Sequence, residues 1–104
     1  MKHSDPAVLE ALDLAWDPDE GVLGKLREGV YDSALAEGYI EVLNGVEISE
    51  GEMLHPDFVR LVWFGPLFSE WQVDRVVENG GDRQEVANFS DKVRERIMEI
   101  LGTP

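Results

Sequence analysis

Apolar residues recur along most of this chain at three- and four-residue intervals, the spacing that puts them on one side of an α-helix. Val8, Leu9, Leu12 and Trp16 follow Asp5-Pro6. An aspartate carboxylate accepts the unpaired amide hydrogens of a first turn, and proline's fixed φ suits that turn, so a first helix is expected over about 6–16. Asp17-Pro18-Asp19-Glu20 repeats the signal, and Val22, Leu23, Leu26 and Val30 supply a stripe for a second helix over about 18–29. Gly21, Gly24 and Gly29 weaken it, because each internal glycine costs on the order of 1 kcal/mol relative to alanine.

Asp32 or Ser33 is placed to cap a third helix carrying Leu35, Tyr39, Val42, Leu43 and Val46, with Asn44-Gly45 as a left-handed stop. The same stretch admits a hairpin around 38–50, since Tyr39–Leu43 and Val46–Ile48 flank Asn-Gly, a strong two-residue turn signal. The helix is the preferred reading. Residues 47–55 are polar and glycine-punctuated, a loop before Pro56 restarts helix through Phe58, Val59, Leu61, Val62, Trp63 and Phe64, a nearly continuous apolar run that also admits a buried strand, and Gly65-Pro66 is expected to stop it. Ser69 and Gln72 have the spacing of a capping box and Phe68 and Val73 that of a hydrophobic staple, predicting a helix over about 70–79 that ends at Asn79-Gly80-Gly81. A short segment led by Asp82 follows. Ser90 is then expected to cap a last helix with Val93, Ile97, Ile100 and Leu101 buried and Gly102 as its stop.

The pattern predicts a mostly α fold: one domain over 1–104, a compact bundle of about five helices with short turns, or an α+β fold if the hairpin forms. The 43% hydrophobic fraction, with nine aromatic side chains, argues for a packed core.

The net charge is −13, and residues 1–57 carry fourteen acids against three bases, a balance of −11, whereas residues 58–104 carry eight against six, a balance of −2. Between Arg27 and Arg60 no lysine or arginine occurs, while Glu37, Glu41, Glu47, Glu50 and Glu52 all fall in that interval. Such a field repels phosphate backbones and anionic lipid and attracts basic surfaces, so direct nucleic-acid or membrane binding is not expected and a partner protein with a basic surface is. The plain alternative is a solubilising face. The opening residues reach acids before any long apolar run, no apolar stretch has the length of a membrane span, and cysteine is absent, all of which lead to an expectation of a cytoplasmic protein.

Candidate chemistry is sparse. The two histidines, His3 and His55, lack a second ligand at helical spacing, and Asp17-x-Asp19-x-Gly21 resembles only the opening of a calcium loop, so neither metal nor cofactor is expected. No phosphate-binding glycine loop, nucleophile elbow or paired-cysteine motif occurs, and the serines read as caps or loop polars. An enzyme is therefore not expected, a carboxylate-only active site being the one form it could take. The densest apolar segment, 61–71, contains Trp63, Phe64 and Trp71, which are either core or an exposed anchor for a partner or a second copy of the chain. The expected function is a small acidic inhibitor or neutraliser of the immunity, antitoxin or anti-defence type that occludes a basic surface. The alternative is a regulatory or scaffold subunit that docks or forms a homodimer through the aromatic segment.

Overall fold

The computed structural model describes residues 1–104, and the chain is an all-helical bundle with no sheet. Its elements are α1 (Pro6–Leu14), α2 (Val22–Arg27), α3 (Ser33–Asn44), α4 (Pro56–Val62), α5 (Gly65–Trp71), α6 (Val73–Glu78) and α7 (Arg83–Leu101). Long α7 is the spine, touched by α3, α5 and α6, while α1 lies on α3 and α4. One core joins them, with Leu12, Leu23, Leu26, Leu43, Phe58, Val62, Val86 and Val93 closed to solvent. No helix is long and apolar enough to cross a membrane.

Two starts follow the expected capping chemistry, at Asp5 and Asp32, whereas Asp82, expected only to lead a short segment, caps α7 in place of Ser90. Asp5, Asp32 and Asp82 each accept a backbone N–H from the first turn of α1, α3 and α7. At 38–50 the helix prevails over the hairpin, and the only strand-like pairing is a single bridge between Lys2 and Glu47. Gly45 is not the left-handed stop expected of it, since its φ is −85°. The guanidinium of Arg96 ends α3 instead, donating to the carbonyls of Leu43 at 3.0 Å and Val46 at 3.3 Å. A cation from α7 thus satisfies the carbonyls a helix leaves open. Similarly, Asn79 and Arg75 of the α6 region donate to the carbonyls of Glu28 and Arg27, closing α2 from outside.

Other local signals are overridden. Asp17-Pro18 does not begin a helix. The Asp17 carboxylate accepts from the amides of Asp19 and Glu20 in a tight turn, and α2 starts after Gly21. Gly24 lies so close to this turn that a Cβ there would overlap the Asp17 carbonyl. Gly65-Pro66 opens α5 rather than only closing α4. Ser69 and Ser90 are not caps: both are buried inside helices, their hydroxyls 3.2 Å apart across the α5–α7 contact. Hence α7 runs unbroken from Arg83, and the expected 70–79 helix divides into α5 and α6 at Gln72. The helical segments accordingly number seven.

The Tyr39 hydroxyl is buried without a hydrogen-bond partner, and burial pushes its phenol pKa above the usual value. It points at α5, where a Cβ on Gly65 would stand 3.3 Å from the oxygen and 3.6 Å from Val93 Cγ1.

Candidate protein-binding surfaces

The carboxylates expected to form one face divide between two places. Glu37 and Glu41, one helical turn apart on α3, line an open groove against α7 with Glu85, Tyr31, Ile40 and Lys92, a space of about 430 Å³. Lys92 is the one cation in that lining. The Tyr31 phenol reports the local field. Its pKa is raised, first by partial burial and then by Glu85, Glu37 and Asp32 in turn, so three carboxylates act on one hydroxyl. Asp32 itself is held below the usual carboxylate range, chiefly by the Leu35 amide it caps and further by Lys25, 3.5 Å away.

Glu47, Glu50 and Glu52 belong to the segment after α3 and do not line that groove. Glu47 and Glu50 are exposed. Glu52 is half-buried and serves the fold: one oxygen accepts the Ser49 amide at 2.9 Å and the other stands 3.9 Å from Nδ1 of His3. His3 is buried, and its Nε2 accepts the His55 amide at 2.9 Å while its ring meets the Phe58 ring edge-on. The other ring nitrogen, Nδ1, is buried without a hydrogen-bond partner. This cluster fastens residues 1–4 over the 45–55 segment. Three or more His, Asp or Glu side chains are nowhere gathered to hold a metal ion.

The aromatic segment divides between core and surface. Phe68 is buried and Phe64 half-buried, whereas Trp63 is 53%, Leu67 45% and Trp71 61% exposed. The division follows helical geometry: positions 64 and 68 form an inward row, and 63, 67 and 71 the outward row beside it. Phe64 is the keystone, with its ring centroid 5.2 Å from that of Trp63, 5.5 Å from Trp71 and 6.2 Å from Trp16. Both exposed indoles therefore rest on a fixed ring, which limits the side-chain entropy lost when something covers them. Arg27 lies over Trp16 and Phe68, 5.9 and 5.2 Å from their centroids, and has no carboxylate partner.

Sequence reasoning overlooked Glu85 and Leu67. Glu85 sits 44 residues beyond Glu41, and only tertiary packing unites them. Leu67 was legible in principle, because Trp63, Leu67 and Trp71 recur every four residues. Two surfaces thus stand out on this bundle, a carboxylate-lined groove between α3 and α7 and a rigid aromatic ridge on α4–α5, and the chain that carries them matches no protein-family model, curated protein or solved structure.

Proposed function

We propose that this protein is a small acidic inhibitor that binds a partner protein and occludes its basic surface. The observation carrying this reading is the convergence of Glu37, Glu41 and Glu85 on the α3–α7 groove, where three carboxylates face a single lysine. A groove so lined accepts lysine or arginine side chains of a partner, and the net charge of −13 adds long-range attraction that speeds encounter. The immunity, antitoxin and anti-defence roles share this chemistry, with carboxylates standing where the phosphates of a nucleic acid would bind the partner.

The test is a pull-down from the native host's lysate at low and high salt, repeated with Glu37→Lys, Glu41→Lys and Glu85→Lys combined. All three residues are exposed helical positions, so the substitutions leave the core intact. The wild type should retain a basic protein at low salt and lose it at high salt, and the triple variant should lose it at both. A partner held equally by the two forms would refute the reading.

A second reading is favoured by the exposure of Trp63, Leu67 and Trp71. Contiguous large apolar side chains on a monomer mark contact surfaces. On this reading the α4–α5 ridge docks a regulatory or scaffold subunit onto its partner.

A further inference from the structure

We propose that Asn79 is a self-modification site that the fold keeps shut: its side-chain amide survives while it clasps α2, and it is converted to aspartate or isoaspartate in chains that open, which are then barred from restoring the clasp.

The chemistry belongs to the sequence. An asparagine followed by glycine is open to attack at its own Cγ by the next backbone nitrogen, and glycine, with no Cβ, hinders that approach least. This chain has two such pairs, Asn44-Gly45 and Asn79-Gly80. Solvent base removes the proton of the glycine amide, the nitrogen bonds to Cγ, and the Cγ–Nδ2 bond breaks as ammonia leaves with a proton taken from water. The resulting five-membered imide adds one water across either of its carbonyls. Opening on one side gives aspartate, and opening on the other gives isoaspartate, in which the chain runs through the side-chain carboxyl. Water is consumed and ammonia released, with no other reactant.

The fold blocks the first step at Asn79. The attacking group is occupied, since the Gly80 amide donates to the Val77 carbonyl at 3.0 Å. It is also on the wrong side. With Asn79 at ψ 8°, ring closure needs a large rotation about ψ, which would pull the Gly80 and Gly81 amides off the carbonyls of Val77 and Val76. Meanwhile Nδ2 is held across the helix pair, donating to the carbonyls of Glu28 at 3.2 Å and Gly29 at 3.3 Å. Attack therefore waits on opening of the clasp. Residues 79–81 are exposed, so water and base reach the site as soon as it opens.

The product cannot take the amide's place. A carboxylate at position 79 offers oxygen where two carbonyl oxygens require a donor, and it stands at the C-terminal ends of both α2 and α6, where the helix dipole is negative. Asp82 and Glu85 line the same cleft. Arg75, the cation that shares the clasp, already donates to the Arg27 carbonyl at 3.1 Å. Isoaspartate adds a backbone carbon as well, at a contact so close that a Cβ on Gly29 would overlap Nδ2 of Asn79.

Incubating the full chain in mildly alkaline buffer, folded and in urea, with peptide mass mapping of both asparagines over time, gives the test. In urea both Asn-Gly pairs should convert at similar rates, whereas in the folded chain Asn79 should convert at least about tenfold more slowly than in urea, as a locally closed segment does. Chains returned from urea should show a low-melting fraction equal to the fraction converted at position 79. Asn79→Asp should melt several degrees below the wild type, while Asn44→Asp, the same charge change at another exposed helix end, should melt close to it. Conversion of Asn79 as fast in the folded chain as in urea would overturn the proposal. So would an Asn79→Asp variant that melts with the wild type, or an Asn79 that stays intact in urea while Asn44 converts.

Discussion

Replacing Tyr39 with phenylalanine should stabilise the protein, although Tyr39 is almost wholly buried and central to the α3–α5–α7 contact. Its hydroxyl makes no hydrogen bond in the fold but is fully hydrated in the unfolded chain. Leaving such a group unpaired costs about 1–3 kcal/mol. Removing the oxygen opens a void of on the order of 15 Å³, which at about 24 cal/mol per Å³ costs roughly 0.4 kcal/mol. The net expectation is a gain of about 1 kcal/mol, read as a higher urea midpoint at unchanged slope or a rise in Tm of about 4–8 °C for a domain of this size. Gly65 supplies a second arm. In the wild type, Gly65→Ala brings a methyl 3.3 Å from the hydroxyl and should cost about 1 kcal/mol, whereas in the Tyr39→Phe background its nearest neighbour becomes Val93 at an ordinary 3.6 Å. The double variant should therefore be more stable than the sum of the single effects by about 1 kcal/mol. A Tyr39→Phe variant destabilised by 1 kcal/mol or more, on the order of one lost hydrogen bond, would refute the account and imply a partner for that hydroxyl.

Alkali provides a related test. The folded Tyr39 phenol titrates above its usual value near 10, so as pH passes that value the unfolded chain releases a proton that the folded chain retains. Stability then falls with rising pH, by up to about 1.4 kcal/mol per pH unit for one such group, and Tyr39→Phe should flatten the decline. At the acid end the sign reverses: Asp32 titrates below its usual 3.8, so its contribution is present above that pH and is lost as pH falls through the depressed value. Asp32→Asn keeps an N-capping oxygen and should reduce the acid-side slope of an unfolding series. Gly24→Ala, although it raises helix propensity on paper, should destabilise by about 3 kcal/mol or more, because the methyl meets the Asp17 carbonyl rather than a yielding side chain. Far-UV circular dichroism during thermal melting would register that loss.

The helical class was legible because apolar spacing and the aspartate caps at Asp5 and Asp32 agree, and both act within a few residues of one another. Residues 38–50 hold signals for both helix and hairpin, and the decision draws on Arg96, about fifty residues away, which supplies the C-terminal cap that Gly45 does not. Ser69 and Ser90 misled for a similar reason. A serine near apolar residues has the local look of a cap, but these two hydroxyls answer each other across a helix pair, a pairing with no trace at short range. Of the candidate contacts, Glu37 and Glu41 fell together because they share a helix face, whereas Glu50 and Glu52 shared only their position in a base-free interval. Charge along a chain describes its field, and only the fold decides which charges face the same space.

The spine formed by α7 also bears on how the protein is made. Helices α3, α5 and α6 all rest on it, and its Val86, Phe89, Val93 and Ile97 complete their core. During synthesis these three helices leave the ribosome before α7, and the part of each apolar face that α7 covers stays open until about the hundredth residue emerges. At ordinary elongation rates of about 5–20 residues per second, the interval from the end of α3 to the end of α7 lasts several seconds, ample time for the nascent helices to meet a chaperone or one another. A premature stop before Arg83 would release that half-built core permanently, so loss of α7 should yield insoluble or degraded chains rather than a smaller stable domain.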